Sequence, residues 1–116
     1  MNLPAGYPDQ TRRKLVGWRA ALILDHASTP VFGRAMEASE QSFVILSEHN
    51  VPAGVECRIC LDVLDTQGRR GYLDFRGQIV NATLVGKLSR FRLVCRIVNM
   101  EASQREFLAS CVRQDN

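Results

Sequence analysis

The strict alternation of apolar and polar residues over 55–64 is the feature that most limits the fold of this chain. Its apolar positions are Val55, Cys57, Ile59, Leu61 and Val63, and they alternate with Glu56, Arg58, Cys60 and Asp62. A period of two places the two sets on opposite faces of a β-strand. The pattern therefore predicts a half-buried strand with one face toward a core.

Five further segments read as strands, and polar or glycine- and proline-bearing turns separate them. They span residues 18–24, 31–36, 42–46, 72–80 and 90–98. In the segment 72–80, Gly77 falls on the predicted inner face, where it would permit the sharp bend that a barrel corner needs. In the last segment, three arginines (Arg90, Arg92 and Arg96) face away from the apolar positions.

The period changes near the C-terminus. Ser103 and Glu106 have the S-x-x-E spacing of a helix capping box, and apolar residues follow at helical spacing. We therefore expect one helix from Gln104 to about Arg113. Six short strands and one closing helix predict an all-β fold with one helix, namely a small six-stranded antiparallel β-barrel.

Composition narrows the class of protein. The chain has 116 residues, of which 46% are hydrophobic, and this suits one compact domain. We assign residues 1–10 to a flexible tail and residues 11–116 to the domain. The net charge of +3 is too small to make nucleic acid the default partner. We find neither a membrane-length apolar run nor a signal peptide, so we expect a cytoplasmic location, reduced cysteines and no membrane insertion.

A basic stretch precedes the first predicted strand. Residues 11–20, TRRKLVGWRA, contain Arg12, Arg13, Lys14 and Arg19 and no acidic residue. The arginine fork matches phosphate oxygens and the O6/N7 edge of guanine. This stretch is either an anion or nucleotide clamp or a solvated basic terminus, and the residues alone leave both open.

Catalytic and metal-binding patterns are missing from the sequence. Cys57-x-x-Cys60 has no second ligand pair, and in a strand its two thiols face opposite sides. No serine has the context of a nucleophile elbow, and no glycine-rich phosphate loop leads into a helix. We therefore predict no enzyme activity, no metal and no cofactor.

The overall layout resembles the PilZ domain, the bacterial cyclic di-GMP receptor module. The resemblance runs from residue 11 to residue 112. It includes the Arg-Arg pair before the first strand, a serine-bearing turn, the PAG element at 52–54, the RFRLVCRIV strand and the terminal helix. It implies a six-stranded antiparallel barrel with a helix over one end.

The resemblance also implies a set of ligand-binding residues. The arginine motif of the family maps onto Arg12 and Arg13, although five residues separate Arg13 from the next arginine where the family has three. The second motif, Asp or Asn, any residue, Ser, two residues, Gly, maps onto residues 37–42. It would place Glu37 at the acidic position, Ser39 at the serine and Ser42 at the glycine. The implied cyclic di-GMP site is Arg12, Arg13, Arg19, Glu37, Ser39 and Ser42.

Two functions from different classes follow from the resemblance. The first is a cyclic di-GMP-binding effector that passes the signal to a partner protein, with Trp18 beside the clamp as a fluorescent reporter. The second is a PilZ-type adaptor that binds no nucleotide and acts through protein contacts in pilus assembly or motility. A third option, single-stranded nucleic acid binding, requires outward aromatic rings, and among these we predict only Tyr72. We therefore do not expect a nucleic-acid partner.

Overall fold

The computed structural model describes residues 12–113, which form a closed barrel of six antiparallel strands and one helix. The strands are β1 (Lys14–Ile23), β2 (Val31–Ala38), β3 (Ser42–Ser47), β4 (Glu56–Leu64), β5 (Arg70–Val85) and β6 (Arg90–Asn99), and the helix is α1 (Ala102–Val112). The expected barrel with a C-terminal helix is confirmed. The predicted tail over residues 1–10 lies outside the described residues.

The strands follow the order β1-β2-β3-β6-β5-β4, and β4 pairs back with β1 to close the barrel. Consecutive strands β1, β2 and β3 form a meander, while β3 pairs with β6 across the sequence. The long strand β5 joins two neighbours in succession. It pairs with β4 from Arg70 to Gln78 and with β6 from Arg76 to Val85.

The core lies inside this barrel and is built from alternate residues of each strand. The alternation in β4 is confirmed, since Cys57, Ile59, Leu61 and Val63 are all buried. On the facing side of the interior, Phe43 of β3 stacks on Phe75 of β5 with ring centroids 5.3 Å apart. Burying each large side chain contributes about 1.5–3 kcal/mol, so the inner faces supply most of the stability.

Gly77 occupies the predicted corner. A methyl group there would lie 2.5 Å from Cδ1 of Ile59 and 3.1 Å from the carbonyl oxygen of Arg96. The register between β5 and β6 also shifts beside it. Only glycine lets these two strands approach so closely at the bend.

The segment boundaries differ from the prediction most clearly at three places. Strand β1 begins at Lys14, four residues before the predicted start at residue 18. Strand β5 continues five residues past the predicted end at residue 80, because β6 pairs with it as far as Val85. Helix α1 begins at Ala102, two residues before the predicted start.

The predicted capping box is wrong. The residue before the helix is Glu101, no side chain caps the helix start, and Ser103 and Glu106 lie exposed inside the helix. Tertiary anchors set the helix start instead: Met100 is buried, and the Gln104 side chain accepts a hydrogen bond from the backbone N–H of Asp74 at 2.7 Å.

Helix α1 covers one end of the barrel. It buries Leu108, Cys111 and Val112, and the ring of Phe107 rests on Gly71 of β5. At its far end, Lys14 of β1 donates a hydrogen bond to the Cys111 carbonyl oxygen at 3.3 Å. In the part of the chain that the structure describes, no helix has the length and apolar character needed to cross a membrane.

Candidate functional site

Arg13, just before β1, folds over the start of β3. Its Nε donates a hydrogen bond to Oγ of Ser42 at 2.9 Å, and its Nη1 lies 3.8 Å from Oε1 of Glu37. Only 7% of the Arg13 side chain is exposed. The structure therefore brings together three residues of the predicted site, and we call Arg13, Glu37 and Ser42 the arginine cluster.

The turn between β2 and β3 fixes the position of Ser42. The Ser39 hydroxyl accepts hydrogen bonds from the backbone N–H groups of Gln41 and Ser42, at 3.2 and 3.0 Å. The backbone N–H of Ser39 in turn donates to the Ser42 carbonyl at 2.9 Å. Ser39 and Ser42 are both buried, so this turn is a rigid support for the Arg13 contact.

Ser42 stands where the family motif has glycine, and it does so without backbone strain. Among the non-glycine residues from 12 to 113, only Ser89 has a positive φ. The backbone conformation of Ser42 therefore adds no strain energy to the fold. Its hydroxyl instead adds a contact, since it receives the Arg13 guanidinium.

The other two predicted arginines lie apart from the cluster contacts. Arg12 is exposed next to Arg13 in the chain. Arg19 is exposed on β1, where its register partners are Arg34 of β2 and Asp62 of β4. It therefore lies several residues along the strand from the arginine cluster, and its role in binding stays a prediction.

A groove on the outer face of β2 and β3 adjoins the arginine cluster. This cavity of about 400 Å³ is lined by Leu15, Val16, Met36, Glu37, Val44, Leu46 and Arg92. A neighbouring cavity of about 410 Å³ shares Met36 and Leu46 and adds Arg34 and Arg90. We call the two cavities together the outer groove. It combines an apolar floor with guanidinium groups, a combination that suits a ligand with planar bases and phosphates.

The apolar floor of this groove and the position of Arg92 in its lining were not predicted from the sequence. The sequence signal for this floor was the uninterrupted apolar run from Phe43 to Leu46. A strand with apolar residues on both of its faces packs against other groups on both of them. Phe43 and Ile45 fill the barrel core, while Val44 and Leu46 line the groove outside.

A further cavity, separate from the outer groove, lies on the outer face of β1, β4 and β5. It measures about 490 Å³, and its lining includes Arg19, Phe32, Cys60, Asp62 and Tyr72. The expectation that Tyr72 is the only outward aromatic residue is wrong, because Phe32 is 55% exposed beside the same cavity. We call this cavity the aromatic cavity.

The fluorescence role expected for Trp18 stays a prediction. The Trp18 side chain is 5% exposed and belongs to the barrel core. An indole in that position reports whether the barrel is folded.

The four cysteines of the described residues are all free thiols. Cys57 faces inward and Cys60 faces the aromatic cavity, as predicted. Burial raises the pKa of all four thiols, that of Cys95 to about 12, so they are protonated at neutral pH.

Asp74 is a surface carboxylate that is held in an ion pair with Arg58. Its two oxygens accept hydrogen bonds from Arg58 at 2.8 and 2.6 Å, and this pairing holds the pKa of Asp74 below its usual value. An ion-paired carboxylate of this kind is a poor general acid or base near neutral pH. Between residues 12 and 113, no three His, Cys, Asp or Glu side chains gather where they could hold a metal ion.

Comparisons with known proteins agree on the fold. No protein-family model matches the sequence, and no curated protein matches it. Among solved structures, the PilZ domain of YcgR from Escherichia coli, solved with c-di-GMP, superposes with a TM-score of 0.65 and 16% identity, and the match covers 89% of this chain and 88% of that one.

The Bacillus subtilis inhibitor of motility, MotI/DgrA, superposes with a TM-score of 0.70 and 10% identity over 85% of this chain. The match covers 48% of that protein, so this chain spans about half of its length. At these identities the likeness is one of fold, and the fold of the chain is PilZ-like.

Proposed function

We propose that this chain is a cyclic di-GMP-binding effector domain, and that ligand binding changes the surface it presents to a partner protein. The observation that carries the proposal is the arginine cluster at the margin of the outer groove. Arg13 is held over Glu37 and Ser42, which are the positions that the second PilZ motif occupies. The likeness of fold to the PilZ domain of YcgR, solved with c-di-GMP, supports it.

Each predicted residue has a distinct part in this proposal. Arg12, exposed at the start of the described chain, binds a phosphate, and Arg13 offers its fork to phosphate or to a guanine edge. Glu37 accepts hydrogen bonds from the base. Ser39 is engaged within its own turn, so it positions Ser42 and Glu37 and does not contact the ligand.

The third guanidinium of the site is better supplied by Arg92 than by Arg19. Arg92 reaches the same cavity as Glu37 from β6, whereas Arg19 lines the aromatic cavity. In this proposal Arg92 neutralises ligand charge from the far side of the groove. Arg92, although distant in the chain, then compensates for the longer gap between Arg13 and the next arginine.

Isothermal titration calorimetry with cyclic di-GMP tests the proposal. The wild type is expected to release or absorb heat on binding, and the Arg12→Ala, Arg13→Ala double variant is expected to lose that heat. Arg105→Ala, which removes an exposed arginine from α1, is the matched control and should bind as the wild type does. Equal heats in the wild type and the double variant would overturn the proposal.

Single substitutions distinguish the two candidates for the third arginine. Losing one well-formed fork costs about 1–3 kcal/mol, which corresponds to roughly a 5- to 150-fold weaker affinity. We expect a loss in that range for Arg92→Ala and little change for Arg19→Ala. The opposite order would assign the third position to Arg19.

The nucleotide-free adaptor is the second candidate, and one observation favours it. Arg13 already has acceptors in Ser42 and Glu37, so a ligand must compete with them for its guanidinium. In this alternative the ion pair is structural, and the aromatic cavity offers the partner-binding surface. A folded wild type that gives no heat with cyclic di-GMP would support the adaptor function.

A further inference from the structure

The far half of β5 has a strand edge that no described residue pairs with. Strand β4 pairs with β5 only up to Gln78, and Val55 and Gly54 then bond to Ile79. From Asn81 to Val85, β6 is the only pairing partner within residues 12–113. We call residues 81–85 the free edge of β5.

The free edge lacks the charged residues and prolines that block many exposed strands. It is short, and it begins at a β-bulge between Ile79 and Asn81, so it can accept only a short partner strand. Here residues 80–85 read VNATLV and contain neither charge nor proline. A row of unpaired backbone N–H and C=O groups beside such a sequence is a template for one more strand.

Apolar side chains next to the free edge are also exposed. Leu84 is 60% exposed, and Leu88, in the turn between β5 and β6, is 55% exposed. In the same turn, Gly86 has no atom near the position of a side chain, so the tip of this hairpin stands in open space. A partner can therefore reach the edge and cover both leucines at once.

We propose that the free edge of β5 pairs with the free edge of a second copy of this chain, antiparallel and about a two-fold axis. The sequence of the edge selects this partner, because an uncharged segment opposes no like charges when it meets itself. Antiparallel pairing satisfies both edges in one contact and closes the assembly at a dimer. Because the axis then passes near Thr83, Leu84 of each copy lies close to Leu84 of the other.

The structure also sets the strength of the dimer. Val55 and Gly54 occupy the edge at Ile79, so the new pairing extends over no more than five residues of each chain. Interfaces well below about 1,000 Å² are weak and transient. The dimer is therefore concentration-dependent, and it forms whether or not the outer groove holds a nucleotide.

Sedimentation velocity of the whole chain tests the dimer over a roughly hundredfold range of protein concentration. The wild type is expected to shift from monomer toward dimer as concentration rises. Leu84→Lys places like charges beside each other at the two-fold axis, Leu88→Lys adds a charge beyond each end of the paired strands, and the double variant should stay monomeric throughout. Leu64→Lys is the matched control. Leu64 also lies at a strand end and is 51% exposed, but it belongs to β4. This variant should therefore dimerise as the wild type does.

Amide hydrogen exchange locates the contact. In the wild type, the amides of residues 81–85 should exchange more slowly at high than at low concentration, and in the double lysine variant they should not. A wild type that is monomeric at every concentration overturns the proposal, as does a dimer that survives both lysines. Protection of residues 81–85 in a monomer also overturns it, because another part of the same chain would then cover the edge.

Discussion

The contact between Arg13 and Ser42 depends on a serine that carries no backbone strain. Ser42 is buried, has an ordinary backbone conformation and offers a hydroxyl that receives the guanidinium. A hydrogen bond to a charged group contributes about 1.5–3 kcal/mol when it is well formed. The serine thus fixes Arg13 against β3, and any ligand of Arg13 would have to compete with this contact.

We expect Ser39 to contribute to the stability of the fold whether or not a ligand binds nearby. Ser39→Ala removes the acceptor for two backbone N–H groups in the buried turn, so we expect the free energy of unfolding to fall by about 1–3 kcal/mol. Urea denaturation measures this fall. The control is Ser103→Ala, because Ser103 is exposed in α1 and caps nothing, and its effect should stay within about 0.5 kcal/mol. Equal effects of the two substitutions would show that the Ser39 bonds do not support the turn.

At the scale of residues, the structure brings together three of the six residues that the sequence assigned to one site, while their role in binding stays a prediction. The strand register brings these three residues together, because Lys14 pairs with Ala38 on the neighbouring strand. A resemblance of motifs already contains that pairing. Arg92 could not be found in this way. It reaches the groove through the pairing of β3 with β6, which are far apart in the chain. Short-range periodicity tells which residues share a face but not which faces meet.

At the scale of elements, strands were easier to predict than their ends. Alternation identified β4 and the inner face of β5 because burial on one side imposes a period of two. The end of β5 depends instead on the length of β6, and the start of α1 depends on the buried Met100 and the Gln104 contact. Such tertiary anchors leave no local signal, and the S-x-x-E pattern at Ser103 was therefore misleading.

The packing of α1 on the barrel depends on Gly71. A methyl group at this position would overlap the ring of Phe107, so Gly71→Ala should displace the ring and loosen the helix. Overpacking of this kind costs about 1–3 kcal/mol in the free energy of unfolding. We expect faster amide exchange in α1 together with a lower urea midpoint. Gly86→Ala, at a glycine in open space, should leave both unchanged, and a stable Gly71→Ala variant with a protected helix would contradict this account.

The turn between β4 and β5 makes stability depend on pH through Asp65. Its carboxylate accepts the backbone N–H groups of Arg69 and Gln67, both at 2.8 Å, and the Arg69 side chain at 2.9 Å. These bonds, that of the Arg69 backbone first, lower the pKa of Asp65 below its ordinary value of 3.8. Because the folded state favours the charged form, the stabilisation is complete above that value and is lost as the pH falls through the lower folded pKa.

Asp65→Ala tests this dependence. At pH 7 the variant should unfold at a lower urea concentration than the wild type. The gap should narrow as the pH falls below 3.8, where the wild-type carboxylate also becomes protonated. A gap that stays constant down to the lowest pH would show that the side chain stabilises the turn by a means other than its charge.

At the scale of the whole molecule, barrel closure links the outer groove to the stability of the fold. The groove is formed by β2 and β3 with Arg92 from β6, and these strands also carry core residues such as Phe43, Ile45 and Leu93. The site therefore exists only in the folded barrel. Trp18 is enclosed in that core, so its emission gives a signal for unfolding.

A ligand that binds only the folded barrel must stabilise it in proportion to its affinity. If cyclic di-GMP occupies the outer groove, a concentration of 100 times its Kd should raise the free energy of unfolding by about 2.7 kcal/mol. Tryptophan emission during thermal unfolding measures this as a midpoint several degrees higher. The Arg12→Ala, Arg13→Ala variant should show no rise at the same concentration, while Arg105→Ala should match the wild type. An unchanged wild-type midpoint would mean that the groove does not hold the nucleotide, and it would leave the arginine cluster as a structural ion pair in an adaptor.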